Sequence, residues 1–244
     1  MGKVILETVV GSTVYGTAVQ DGLEDLDLMA VVIEDAENFI GFGSEDVSVS
    51  RTKPEGVRSE AGDTDRVEYG LRKFLSLALK GNPSILVPLF APPEFTRIET
   101  DEGKQLKSLA SRIISRQVHD PFRGYMIQQR ERLLGKRNRN VTRPELVEAY
   151  GYDTKFAGHA VRLGIQGCEI LRTGRLQLPM TVRDRQWVIN VRNGVYTIDE
   201  VVEFISTLEL HLEKLFTNST LQDKPDREFV ERWMVNAYLS HWWV

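Results

Sequence analysis

Asp25 and Asp27 stand two residues apart where the apolar run Leu26 to Ile33 begins, and in a strand such residues project from one face. Leu26 and Leu28 then enter the opposite, apolar side. Two carboxylates converging on one point suit Mg²⁺, which takes hard oxygen ligands and commonly binds through one or two carboxylates plus substrate phosphates. Upstream, Gly11-Ser12-Thr13-Val14-Tyr15-Gly16 follows a second β-branched, apolar run, Val4 to Val10. If Gly11-Ser12 opens a helix, it offers a triphosphate backbone N–H groups and a hydroxyl, and glycine permits close approach. Each half alone is a weak signal, since a lone Asp-X-Asp or Gly-Ser is most often a solvated turn or strand end. The signal lies in their conjunction across strand, turn and strand, which sets a metal seat beside a phosphate cradle.

Both runs read as strands. Ser44 to Asp63, rich in Ser, Gly, Glu and Asp, reads as a long irregular connection. Thr64 to Tyr69 reads as a short third strand, followed by an amphipathic helix over Leu71 to Lys80 that stops at Gly81-Asn82-Pro83. Beyond Asp101 the spacing predicts helices over Glu102 to Ser115, Pro121 to Leu134, Pro144 to Arg172, Ile198 to Phe216 and Pro225 to His241. Thr181 to Val195 reads as either a strand or a helix.

Composition narrows the class. Hydrophobic residues at 41% and charged ones at 27% of 244 residues describe an ordinary globular chain. The single cysteine, Cys168, excludes an internal disulfide framework and a cysteine-rich zinc site. No apolar stretch reaches ~18 residues, and the N-terminal run is too short for a signal-peptide core, so a cytoplasmic protein without a membrane span is expected. A net charge of −4 gives no global attraction to nucleic acid, so any such contact rests on a local patch.

Gly-Ser, a spacer and Asp-X-Asp on the next strand resemble the DNA polymerase beta-like nucleotidyltransferase superfamily. Tyr15-Gly16, the run Tyr69-Gly70-Leu71-Arg72-Lys73-Phe74 leading to Lys80-Gly81-Asn82-Pro83-Ser84, and Tyr152 to Leu163 narrow the resemblance to predicted nucleotidyltransferases associated with RNA ligase and RNA repair. The resemblance spans nearly the whole chain, more loosely towards its end. It implies an α+β fold: a small mixed β-sheet nucleotidyltransferase domain over residues 1–115, then an α-helical C-terminal domain over 116–244 that completes the active-site cleft. It also implies two Mg²⁺ (or Mn²⁺) ions and a third carboxylate from a neighbouring strand, for which Asp65 is the candidate. Glu68 lies on the other face by alternation, and Asp63 sits in a looser acidic segment. One departure stands out, because Glu24 occupies the position before the first metal aspartate where the superfamily commonly has serine.

On a helix from Pro144 to Arg172, Lys155, His159, Arg162, Gln166 and Glu169 share a face, while Phe156, Ala160, Leu163 and Ile170 form an apolar one. From spacing alone the polar face is either solvated or ligand-bound; the resemblance places Lys155, His159 and Arg162 against the nucleotide. Lys73 is a further phosphate candidate. The basic loop Lys136 to Asn140 reads as solvated or RNA-binding, and Trp242 and Trp243 as packed on the bundle or at a homodimer contact. The expected activity is transfer of a nucleoside monophosphate from an NTP to an acceptor, an RNA end first, with Asp25, Asp27 and Asp65 as metal ligands and Gly11 and Ser12 on the triphosphate. The alternative is a catalytically silent nucleotide-binding regulator or toxin-antitoxin component of the same fold.

Overall fold

The computed structural model describes residues 2–18, 26–41, 47–52, 63–136 and 143–243. The chain divides into two compact units, Met1–Ile114 with Pro225–Val244, and Ser115–Lys224.

In the first unit β1 (Lys3–Val9) is followed by the short α1 (Gly11–Tyr15), β2 (Leu26–Ile33), α2 (Ala36–Ile40), β3 (Val47–Arg51) and β4 (Thr64–Gly70). Next come α3 (Leu71–Ala78), α4 (Val87–Phe90), β5 (Thr96–Glu99), α5 (Asp101–Ser108) and α6 (Ala110–Ile113). Among the described residues the strands form one sheet in the order β3-β4-β2-β1-β5, with β2 and β4 parallel and the other neighbours antiparallel. Central β2 is buried from Leu28 to Ile33, as befits a continuous apolar strand covered on both faces. The architecture is the expected mixed α+β one. Two strands were not expected. β3 falls inside the segment read as irregular: Val-Ser-Val-Ser-Arg alternates, but at a solvated sheet edge with little apolar contrast, so its ladder to β4 decides its conformation. The four-residue β5 is likewise mostly exposed and set by pairing with β1.

The second unit contains α7 (His119–Leu133), α8 (Pro144–Tyr150), α9 (Thr154–Thr173), α10 (Val182–Arg192) and α11 (Ile198–Asn218). The helix predicted from Pro144 to Arg172 is broken. Gly151 ends α8 in the left-handed region at φ 81°, and the Asp153 carboxylate restarts the chain as α9 by accepting the N–H groups of Lys155 and Phe156. Gly-Tyr-Asp thus supplies a C-cap and an N-cap back to back. The segment left open between strand and helix is α10, capped by Thr181, whose hydroxyl accepts the Asp184 N–H at 3.1 Å.

Helix α9 is packed by α7 and α11 through its glycines. A Cβ at Gly167 would lie 2.8 Å from Leu212 Cδ2 and 3.0 Å from Phe122 Cβ, and one at Gly164 would lie 2.8 Å from Leu208 Cδ1 and from Met126 Sδ. Gly167→Val is therefore expected to lower stability by about 2 kcal/mol through overpacking. Gly124→Ala, on the exposed side of α7 where a Cβ meets nothing within 4 Å, is expected to raise it by about 0.5–1 kcal/mol through helix propensity. Urea denaturation of the two variants checks both signs.

Helix α12 (Arg227–Trp242) belongs to the first unit, although the sequence reading set residues 225–244 with the preceding helices. The Tyr238 hydroxyl donates to Glu34 Oε2 at 2.6 Å, and the same oxygen accepts the Leu71 N–H that begins α3 at 3.1 Å. Burial and the Glu34 carboxylate push the Tyr238 phenol well above its usual range. Trp242 donates its indole N–H to the Glu34 carbonyl at 2.8 Å and packs on Phe39, so it anchors to the sheet unit rather than the bundle. Trp243 is exposed. No described helix is long and apolar enough to cross a membrane.

Candidate active site

The parallel ladder between β2 and β4 sets Asp27 directly opposite Asp65, so the two carboxylate-bearing residues share one row and one face. Like charges directly opposite in a sheet oppose its stability. Among the described residues Arg51, opposite Asp65 on the outer side, holds Nε 3.9 Å from its Oδ1. At the other end of the row, the Val10 N–H donates to the Asp27 carbonyl at 2.9 Å and brings the end of β1 against the start of β2. Gly11 follows, opening α1 with no side-chain cap and with φ 73°. A Cβ there would fall on Asp27 Oδ2, so only glycine lets the Gly-Ser turn rest on that carboxylate. The two weak halves of the sequence signal are thus in direct contact.

Asp25 and Glu24 lie outside the described residues, as do residues 137–140 of the basic loop. Among the described residues no group of three or more His, Cys, Asp or Glu stands ready to hold a metal ion. Asp63 is engaged in the sheet, its carboxylate accepting the Thr52 hydroxyl at 3.0 Å and its carbonyl the Leu26 N–H at 2.8 Å. Glu68 lies opposite Ala30, on the other face from Asp65. There Arg66, which the sequence reading passed over, donates to buried Glu7 at 2.6 Å and to Glu68 at 2.7 Å. Arg66 and Glu68, two apart on β4 and of opposite charge, were the available signal. Lys73 is half-buried on α3, and its neighbour Arg72 lies over the Phe39 ring at 4.4 Å.

In the second unit, α9 carries Lys155, His159, Arg162 and Gln166 on one face. Only Lys155 is exposed; His159 and Arg162 are half-buried and Gln166 is buried, so the stripe sinks into the unit instead of lying in solvent. The resemblance set His159 against the nucleotide beside Lys155 and Arg162. Burial, with Arg162, Lys155, Arg192 and Arg143 nearby, lowers its pKa to about 3, and it is a neutral imidazole at physiological pH. Between pH 6.5 and about 3 the unfolded chain takes up a proton at this ring while the folded chain does not, so the group makes stability fall with acidity across that window. His159 ring resonances are expected to stay at neutral-imidazole positions from pH 8 to 4.5, and titration near 6.5 in the NMR spectrum would refute this.

The fold is that of a polymerase beta-like nucleotidyltransferase, a small mixed sheet with helices. The chain belongs to the RNA repair pathway DNA polymerase beta family (RlaP), whose model matches residues 2–236. It is 30% identical over 94 residues to an uncharacterized 38.9 kDa protein in the nrdC-mobD intergenic region of Enterobacteria phage T4; the match takes in 37% of this chain and 27% of that protein's length. A nucleotidyltransferase-like protein from Exiguobacterium sibiricum 255-15 aligns in structure over 88% of this chain and 69% of its own, with 13% identity and a TM-score of 0.32.

Proposed function

We propose that the protein transfers a nucleoside monophosphate from an NTP to an acceptor with release of pyrophosphate, using divalent metal at Asp25, Asp27 and Asp65. The observation that carries this reading is the Asp27–Asp65 row with Gly11 against Asp27. A juxtaposition of carboxylates that opposes folding is the donor set a hard divalent cation requires. Mg²⁺ or Mn²⁺, when bound there, would polarise the phosphoryl oxygens and lower the pKa of the attacking hydroxyl. The chain's own groups bind and orient. The start of α1 at Gly11 and Ser12 would hold the triphosphate, with Lys73 adding charge. Lys155 and Arg162 would neutralise phosphate oxygens, and neutral His159 would contribute a hydrogen bond. The acceptor hydroxyl gives up its proton to solvent as its oxygen joins the α-phosphorus, the bond from that phosphorus to the bridging oxygen breaks, and pyrophosphate leaves with that electron pair.

The acceptor favoured is an RNA end, from the RNA-repair description of the family. The test is pyrophosphate release from each of the four NTPs with Mg²⁺ or Mn²⁺, with and without RNA. Metal-dependent release that RNA stimulates is expected. NTP binding without release, across RNA, protein and small-molecule acceptors, would instead support a nucleotide-binding regulator.

A further inference from the structure

Helix α10, the turn over residues 193–197 and α11 enclose a cleft of about 320 Å³ that lies wholly within the 115–224 unit. Its walls are aromatic. Trp187 of α10 stacks nearly parallel to Tyr196, at 5.1 Å and 16°, and to Phe204 of α11, at 4.8 Å and 15°, and all of these rings are half-buried. Tyr196 is held at both ends: its carbonyl accepts the Tyr152 hydroxyl at 2.7 Å, and its own hydroxyl accepts from Asn190 Nδ2 at 3.5 Å. The charge lining the cleft is acidic. Glu200 and Glu203 face it from α11, and among the described residues no Lys or Arg does. The Thr197 N–H and hydroxyl donate to Glu200 Oε2 at 2.8 and 2.9 Å and hold that carboxyl below its usual range, so it stays ionised and fixed in place.

Elsewhere in the protein arginines cover aromatic rings. Arg116 lies 5.0 Å from the centre of the Phe216 ring, Arg132 and Arg143 lie 5.8 and 5.3 Å from that of Phe156, and in the first unit Arg72 and Arg112 lie over Phe39 and Phe229. Among the described residues no cation lies over Trp187, Tyr196 or Phe204, and Glu203 has no ion-pair partner. A planar cation answers both features at once, because guanidinium stacks on aromatic faces while its fork of N–H groups donates to carboxylates.

We propose that the cleft between α10 and α11 binds a guanidinium group, stacked on the wall of Trp187, Tyr196 and Phe204 and paired with Glu200 and Glu203. The group is carried either by a small molecule or by an arginine side chain of a peptide. The inference goes beyond the transferase reading and does not rest on it.

The test is an NMR titration of the full chain at constant ionic strength, following the Trp187 indole N–H, which is assigned by its loss in Trp187→Phe. The probes are ethylguanidinium, its neutral planar counterpart ethylurea, ethylammonium, guanosine and the tripeptide Gly-Arg-Gly. Ethylguanidinium is expected to shift the signal saturably, with ethylurea and ethylammonium at least about tenfold weaker. Glu203→Lys, at an exposed position, should weaken ethylguanidinium about tenfold by replacing an attraction with a repulsion. Tighter binding of Gly-Arg-Gly than of ethylguanidinium assigns the group to a peptide, and affinity no greater assigns it to a small molecule. Should Trp187→Phe fail to fold, the methylene protons of ethylguanidinium report binding to wild type by moving upfield over the rings. No saturable shift, equal affinity for ethylurea, or stronger binding of guanosine overturns the site, as does undiminished affinity in a folded Glu203→Lys. Either result leaves the transferase reading, tested by pyrophosphate release, where it stood.

Discussion

Asp27→Asn is expected to release no pyrophosphate above background from any NTP while unfolding at or slightly above the wild-type temperature in metal-free buffer. Both halves follow from the β2–β4 ladder. An amide is a poor ligand for Mg²⁺, and losing one hard ligand from a clamp worth several kcal/mol of transition-state stabilisation costs a factor on the order of 10³ or more. Removing one of two carboxylates set opposite each other also relieves repulsion of about 0.2–1 kcal/mol. On the proposed metal site, Mg²⁺ should raise the melting temperature of wild type by binding the folded state, and EDTA should reverse the rise. Asp27→Asn should show neither response. Wild-type turnover in that variant would remove Asp27 from the metal site, and a lower melting temperature in metal-free buffer would show a structural role instead.

Arg66→Met is expected to lower stability by about 3 kcal/mol, the largest folding effect of the substitutions considered, without touching the row of aspartates. Glu7 is 8% exposed on the central pair of strands, and Arg66, one ladder position from Asp65, is its bridge to Glu68. Truncating the arginine leaves two carboxylates on one face of the sheet, one of them buried without its cation. Methionine keeps most of the stem volume, so the loss reports charge rather than packing. Adding Glu7→Gln to Arg66→Met should return part of the loss, because a neutral amide needs only hydrogen bonds. Equilibrium denaturation of wild type, the two single variants and the double variant measures the coupling. Full additivity would mean that Glu7 and Arg66 do not depend on each other.

What was legible in the chain was what short-range patterning encodes. Leu26 to Ile33 is the central strand because an unbroken apolar run must be covered on both faces, and α11 and α12 follow their spacing to within a few residues. The proposed helix from Pro144 to Arg172 failed at one place, where Gly151 and Asp153 read as a cap pair only once the left-handed conformation of Gly151 is known. β3 and β5 were missed because edge strands carry little apolar contrast and owe their form to a partner far away in the chain.

The sequence by itself determined the residue types of the candidate site: Gly11, Ser12 and the aspartates at alternate positions, the apolar strands beside them, and the polar face of α9 with Lys155 and Arg162. Only the tertiary structure decided their relations. Strand alternation puts Asp65 on one face of β4, but the parallel register is what sets it opposite Asp27. Left-handed geometry at Gly11 is what lays the Gly-Ser turn on the Asp27 carboxylate. Helical spacing aligned Lys155, His159 and Arg162, yet the partial burial of His159 and Arg162, the neutrality of His159 and the arrival of Arg192 depend on how the second unit packs around α9. Composition and periodicity act over a few residues, whereas register, burial and the meeting of charges are properties of segments brought together from distant parts of the chain.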